Sequence, residues 1–178
     1  MRQLFALIIV VMLFVVSKGS NGVFVPKKIV LSNPTPVEMF MDKIAEIETP
    51  EGGYQTVNKY GMMGRYQFSP KTVKVLGFNI SNSEFLRNKE IQDSVMVAYM
   101  RANEKTLHSV IRQYEGKIVK GIKITRASIL AGAHFAGSNG VIAFLTNNSH
   151  VGTVDGFGTS LRKYMSLFSD FHLPPLRG

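Results

Sequence analysis

The sequence predicts a mainly α-helical domain with at most a small β-hairpin. Val37, Phe40, Met41, Ile44 and Ile47 recur at helical spacing behind the start signal Thr35-Pro36-Val37-Glu38. Ile91, Val95, Met96, Tyr99, Met100, Leu107, Val110 and Ile111 repeat the pattern over a longer stretch. Residues 126–136 are apolar almost all round, the composition of a central helix.

In chain order, Thr35 caps the first helix, Pro36 suits its first position, and Glu38 completes a capping box. The apolar stripe carries this helix to Ile47-Glu48. Ser69-Pro70 opens a short helix ending near Leu76-Gly77. Asn82 or Asn88 caps the next segment, and one long helix runs over 89–114, closed by Gly116. Residues 117–124 form a turn or a small hairpin about Gly121. Thr125 caps the helix over 126–136, and Gly137 ends it. A further helix spans roughly 140–145, a polar loop 146–158, and a last helix 160–168.

Glu48 carries the strongest chemical signal. It lies at a helix C-terminus, where the helix dipole disfavours an anion, and next to the apolar stripe, where a carboxyl is partly desolvated. A Gly- and Asn-rich loop follows, then Gly61-Met62-Met63-Gly64-Arg65-Tyr66-Gln67-Phe68. One acid facing a Gly-shaped groove with flat polar side chains suits cleavage of a sugar polymer. Glu46 points away from Glu48 on a helix, and Glu51 is a rival acid in the loop. Tyr66 reads either as a flat face for a sugar or as core.

This stretch resembles the lysozyme-like lytic transglycosylases, the soluble lytic transglycosylase and phage virion muralytic group. Their pattern is a Glu, usually followed by Ser, a short loop, then Val-Ser/Asn-x-x-Gly-x-x-Gly-x-x-Gln. Val57, Asn58, Gly61, Gly64 and Gln67 match the second block without a gap, and Tyr66-Gln67-Phe68 resembles the phage branch. Residues 131–137, Ala-Gly-Ala-His-Phe-Ala-Gly, resemble the family's Ala-Tyr-Asn-Ala-Gly block or its variant with Ala-His, and Tyr164 follows in order. The resemblance covers roughly residues 36–170. Thr49 replaces the usual Ser, the loop before Val57 is one residue longer, and Phe135 replaces Asn.

The resemblance implies a lysozyme-like fold over residues 34–178. It implies a peptidoglycan lytic transglycosylase, with Glu48 as general acid and then general base and a 1,6-anhydro product. Asn58, Tyr66, Gln67, His134 and Tyr164 are the implied substrate-binding residues. A hydrolytic lysozyme would usually need a second carboxylate, for which Asp155 is the distant candidate, although Asp155-Gly156 also reads as a turn. The remaining alternative is a non-catalytic wall-glycan-binding or structural domain of the same fold. His134 in an apolar helix also reads as a satisfied core residue.

Composition narrows the classes. The 178 residues fit one domain, and the absence of Cys excludes disulfides, thiolate zinc sites and Cys nucleophiles. His108, His134, His150 and His172 show no metal-ligand spacing, and no phosphate-binding or dinucleotide loop is present, so no metal or cofactor is expected. Arg2 precedes thirteen unbroken apolar residues, 4–16, with Ser17 and Gly19 behind them. That length is short for a membrane span, and it predicts an export signal over 1–19 cut near Gly19 or, in a competing reading, an uncleaved anchor touching the membrane through 4–16. An envelope disruptor is the function that an anchor would suggest. Residues 20–33 read as a tether. The expected location is the periplasm or cell envelope, or a phage virion or envelope-spanning assembly.

The net charge is +9, and +7 without residues 1–19, which hold Arg2, Lys18 and no acid. A basic surface attracts polyanions. The cluster Arg112, Lys117, Lys120, Lys123 and Arg126 reads as a solvated face or as a wall-binding face. It lacks the interleaved aromatics of single-strand binders, so the expected partner is peptidoglycan and not nucleic acid.

Overall fold

The computed structural model describes residues 33–50, 53–146 and 160–176. The chain divides into two units, Met1–Asn33 and Pro34–Gly178. The predicted leader or anchor, the tether apart from Asn33, Glu51, Asp155 and all of the 146–158 loop beyond Thr146 lie outside the described residues.

The second unit is mainly helical with one small hairpin, as its patterning predicts. In order it contains α1 (Pro36–Glu48), α2 (Pro70–Val75), α3 (Asn82–Arg87), α4 (Lys89–Thr106), α5 (His108–Tyr114), β1 (Ile118–Val119), β2 (Ile122–Lys123), α6 (Arg126–Thr146) and α7 (Leu161–Ser166). Local chemistry explains the starts. The Thr35 hydroxyl accepts from Glu38 N at 3.2 Å while Glu38 Oε2 accepts from Thr35 N at 2.7 Å, the reciprocal capping box. Ser69 and Ser160 cap α2 and α7 in the same way through their hydroxyls.

Three boundaries differ from the sequence reading. Ser81 caps the short helix α3, leaving Asn82 as its first residue, while Asn88, one of the two predicted caps, starts α4. The expected helix over 89–114 breaks at Leu107, with φ −95° and ψ 10°. Neither Gly nor Pro marks the break. There the buried face passes from one core cluster, with Val95, Met96 and Met100, to a second, with Leu107, Val110 and Ile111. The last helix stops at Ser166, two residues short of Phe168.

The hairpin pairs Ile118 with Lys123 and Val119 with Ile122. Lys120 and Gly121 both have positive φ, 50° and 75°, the geometry of the turn whose twist matches two antiparallel strands. Helix α6 is the central element, with Ala127 to Ala133 buried in succession. Its length and hydropathy would also suit a membrane span. It packs instead against α4, α5 and α7. Gly137 at φ 70° and ψ 167° interrupts it, as predicted, and the chain resumes helix up to Thr146. The first core cluster joins α1, the 63–68 loop, α3, α4 and the C-terminal tail around Phe40, Phe85 and Phe168; Phe135 packs against both clusters. Each fully buried ring of this kind contributes about 1.5–3 kcal/mol.

Candidate functional site

Glu48 is the last residue of α1, and its side chain retains 23% exposure. The C-cap Thr49, 8% exposed, ends the helix. Its amide donates to Ala45 O at 2.8 Å. Its hydroxyl lies 3.2 Å from Ala45 O and 3.1 Å from Arg65 O. The second contact ties the residue beside Glu48 to the 61–68 loop.

Two residues from distant elements converge on the carboxylate. The Tyr164 hydroxyl on α7 donates to Glu48 Oε1 at 2.8 Å. His134 Nε2 on α6 lies 3.6 Å from the same oxygen. That distance is too long for a hydrogen bond. Glu48 Oε2 has no hydrogen-bond partner among the described residues, so one carboxylate oxygen is held and the other is open.

The His134 side chain is 6% exposed and packs edge-on against Phe68 and Tyr99, at centroid distances of 5.4 and 5.7 Å. Burial pushes its pKa below the ordinary imidazole range, although the Glu48 charge and the Tyr66 backbone pull upward. The ring is therefore neutral at pH 7. Its Nδ1 is buried without a partner. Thus His134 is a buried residue beside the Glu48 carboxylate, with its Nδ1 unpartnered.

The predicted loop residues take other roles. Asn58 Oδ1 accepts from Tyr60 N at 2.8 Å and from Met62 N at 3.1 Å, so it is spent on the turn. Gln67, at φ 53°, returns its amide Nε2 to Gly64 O at 2.8 Å. Tyr66 is 1% exposed, and its hydroxyl donates to Asp93 Oδ1 at 2.7 Å. Of the two readings of Tyr66, sugar face and core, its burial favours core, with Asp93 satisfying the hydroxyl. Tyr60 on the same loop is 52% exposed, and Lys59 Nζ lies 5.0 Å from its ring centroid. Tyr164 is likewise 1% exposed and meets Glu48 with its hydroxyl, while its ring lies 4.9 Å from that of Phe135.

Two residues that the sequence reading passed over anchor this loop. Gln92 on α4 is fully buried. Its Oε1 accepts from Arg65 N at 2.9 Å, and its Nε2 donates to Tyr54 O at 2.7 Å and to Phe85 O at 2.8 Å. Asp93 accepts from the hydroxyls of both Tyr54 and Tyr66. Arg65 bridges Tyr54 and Asp42 through its two Nη atoms. Burial opposes its charge, but the bond to Tyr54 and the fields of Tyr66, Tyr54 and Asp42 outweigh burial and raise its pKa. Burial likewise lifts Tyr66 far above the ordinary phenol range. Gln92 was detectable, since Gln92, Val95, Met96 and Tyr99 share one helix face.

No group of three or more metal-ligating side chains occurs among the described residues. A cavity of about 730 Å³ is lined by Arg101, Glu104, Arg112 and neighbours, and Glu48 does not border it. No protein-family model, curated protein or solved structure matches the chain.

Proposed function

We propose that the protein is a lysozyme-like peptidoglycan lytic transglycosylase acting through Glu48. The observation that carries this reading is the state of that carboxylate: at a helix end, partly exposed, with Oε1 held by Tyr164 and Oε2 open. The ordered match of Val57, Asn58, Gly61, Gly64, Gln67, His134 and Tyr164 to the family pattern supports it.

The reaction needs one carboxyl in two states. Protonated Glu48 gives its proton to the oxygen linking N-acetylmuramic acid to N-acetylglucosamine, and the bond from muramic C1 to that oxygen breaks. The resulting Glu48 carboxylate takes the proton of the muramic C6 hydroxyl. That oxygen forms the new bond to C1, closing the 1,6-anhydro ring and restoring the acid. No water is consumed. Tyr164 fixes the carboxyl through Oε1, and neutral His134 excludes water behind it without forming an ion pair that would hold the acid ionised. The substrate is a wall glycan strand, and the apolar segment 4–16 suits delivery to the envelope or by a virion.

Digestion of purified peptidoglycan by the wild type and by Glu48→Gln, with mass spectrometry of the fragments, tests this reading. Fragments lighter by one water than reducing-end forms, absent with the variant, are expected. Reducing-end fragments would assign a hydrolytic lysozyme. Binding to walls without any fragment would assign a non-catalytic domain.

A further inference from the structure

The 730 Å³ cavity has a charge pattern that the proposed catalytic site does not explain. Arg101, Lys105, His108 and Arg112 line it. Their spacing of four, three and four residues places them on one face across the α4–α5 junction. The break at Leu107 does not scatter them, because Leu107 N still bonds Asn103 O and Ile111 N bonds Leu107 O, both at 2.8 Å. The stripe is about 16 Å long, with a side chain at each turn of about 5.4 Å. All four side chains belong to exposed residues.

Two carboxylates share the groove, but they are already engaged. Arg126 pairs with Glu104, and its other Nη lies 3.6 Å from Glu115 Oε2. Glu104 Oε2 also accepts from Leu176 N at 3.0 Å, and Glu115 Oε1 accepts from Arg126 N at 3.3 Å. Lys105 and Arg112 form no ion pair among the described residues. The basic cluster noted in the sequence is thereby divided. Arg126 is structural, Lys117 and Lys120 lie over the rings of Tyr114 and Phe144, and Arg112 joins the stripe.

We propose that this groove binds an extended anionic polymer with a phosphodiester backbone and no bases, of the polyol-phosphate kind. Arg101, Lys105 and Arg112 set cations along one line, which suits a polymer with repeated charges. Ile111, Pro175 and Leu176 offer an apolar floor to an aliphatic chain. The lining contains no Tyr, Phe or Trp on which bases could stack, which separates this surface from a single-strand nucleic-acid binder. The assignment stands apart from the chemistry at Glu48.

Titration of the full chain with poly(glycerol phosphate) over a salt series tests it, beside single-stranded DNA and anionic phospholipid vesicles. The expected result is preferential binding to poly(glycerol phosphate). Its log–log salt slope should be about −2, near −0.7 for each of three neutralised phosphates. The double substitution Lys105→Gln with Arg112→Gln should weaken binding at least about tenfold and bring the slope up by about 1.4, two phosphates' worth. Its thermal midpoint should stay at the wild-type value. Arg112→Lys should keep the affinity, and Glu48→Gln should bind as the wild type does, which separates this surface from the catalytic reading. Absent binding, binding indifferent to the double substitution, or equal or tighter binding of DNA or vesicles would each overturn the proposal.

Discussion

The Tyr164 hydroxyl donates to Glu48 Oε1 at 2.8 Å, joining α7 to the end of α1 across 116 positions of sequence. Tyr164→Phe removes this bond and leaves the ring in place. Folding stability should fall by about 1 kcal/mol, the ordinary worth of one hydrogen bond. The turnover number on peptidoglycan should fall by about 10²-fold, the scale of a misplaced reacting group, with KM little changed. Initial rates at saturating wall fragments, beside a melting curve, check both. An unchanged turnover number would remove Tyr164 from the site.

His134 makes stability depend on pH in a defined direction. Burial lowers its folded pKa below the unfolded value of about 6.5, so the unfolded chain binds more protons between the two values. The stability associated with neutral His134 is thus complete above about pH 6.5 and declines as the pH falls from there toward the folded pKa. The slope from one group is at most about 1.4 kcal/mol per pH unit. Urea unfolding at pH 7.5, 6.5 and 5.5 should show a smaller loss for His134→Phe than for the wild type. Parallel losses would contradict the assignment.

The loop beside Glu48 depends on one buried amide. A Cβ on Gly64 would sit 2.1 Å from Gln92 Oε1, at a φ of +75° that an L side chain rarely adopts. Gly64→Ala should therefore cost about 2–4 kcal/mol. Gln92→Ala orphans Arg65 N–H and the carbonyls of Tyr54 and Phe85, and should cost about 2–4 kcal/mol as well. In the double variant the shortened side chain relieves the clash while the backbone strain remains. Its loss should be smaller than the two single losses together. Chemical denaturation of the four proteins completes the cycle, and simple additivity would place the Gly64 cost elsewhere.

Local signals explain what was legible in the sequence. Thr35, Pro36, Glu38, Ser69, Gly121 and Gly137 act on their own neighbours, so their caps, turn and helix break read directly from composition and spacing. Glu48 was legible because its helix ends there. That His134 and Tyr164 lie near Glu48 was legible through the family pattern alone, since their meeting depends on how α6 and α7 pack. The break at Leu107 left no local mark, because it follows from two core clusters competing for one helix face. Tyr66 stayed open between sugar face and core because its burial depends on Asp93, a partner 27 positions away. Gln92 was overlooked because an amide within a helix reads as surface unless its place on the apolar stripe is noticed.

The central claim is that Glu48 serves as acid and then as base with no water in the bond-breaking step. Digestion of peptidoglycan in ¹⁸O-enriched water, with mass spectrometry of the fragments, tests it most directly. The account predicts anhydro-muramic ends carrying no ¹⁸O, formed by the wild type and not by Glu48→Gln. Fragments that take up ¹⁸O at muramic C1 would contradict it and assign a hydrolytic mechanism.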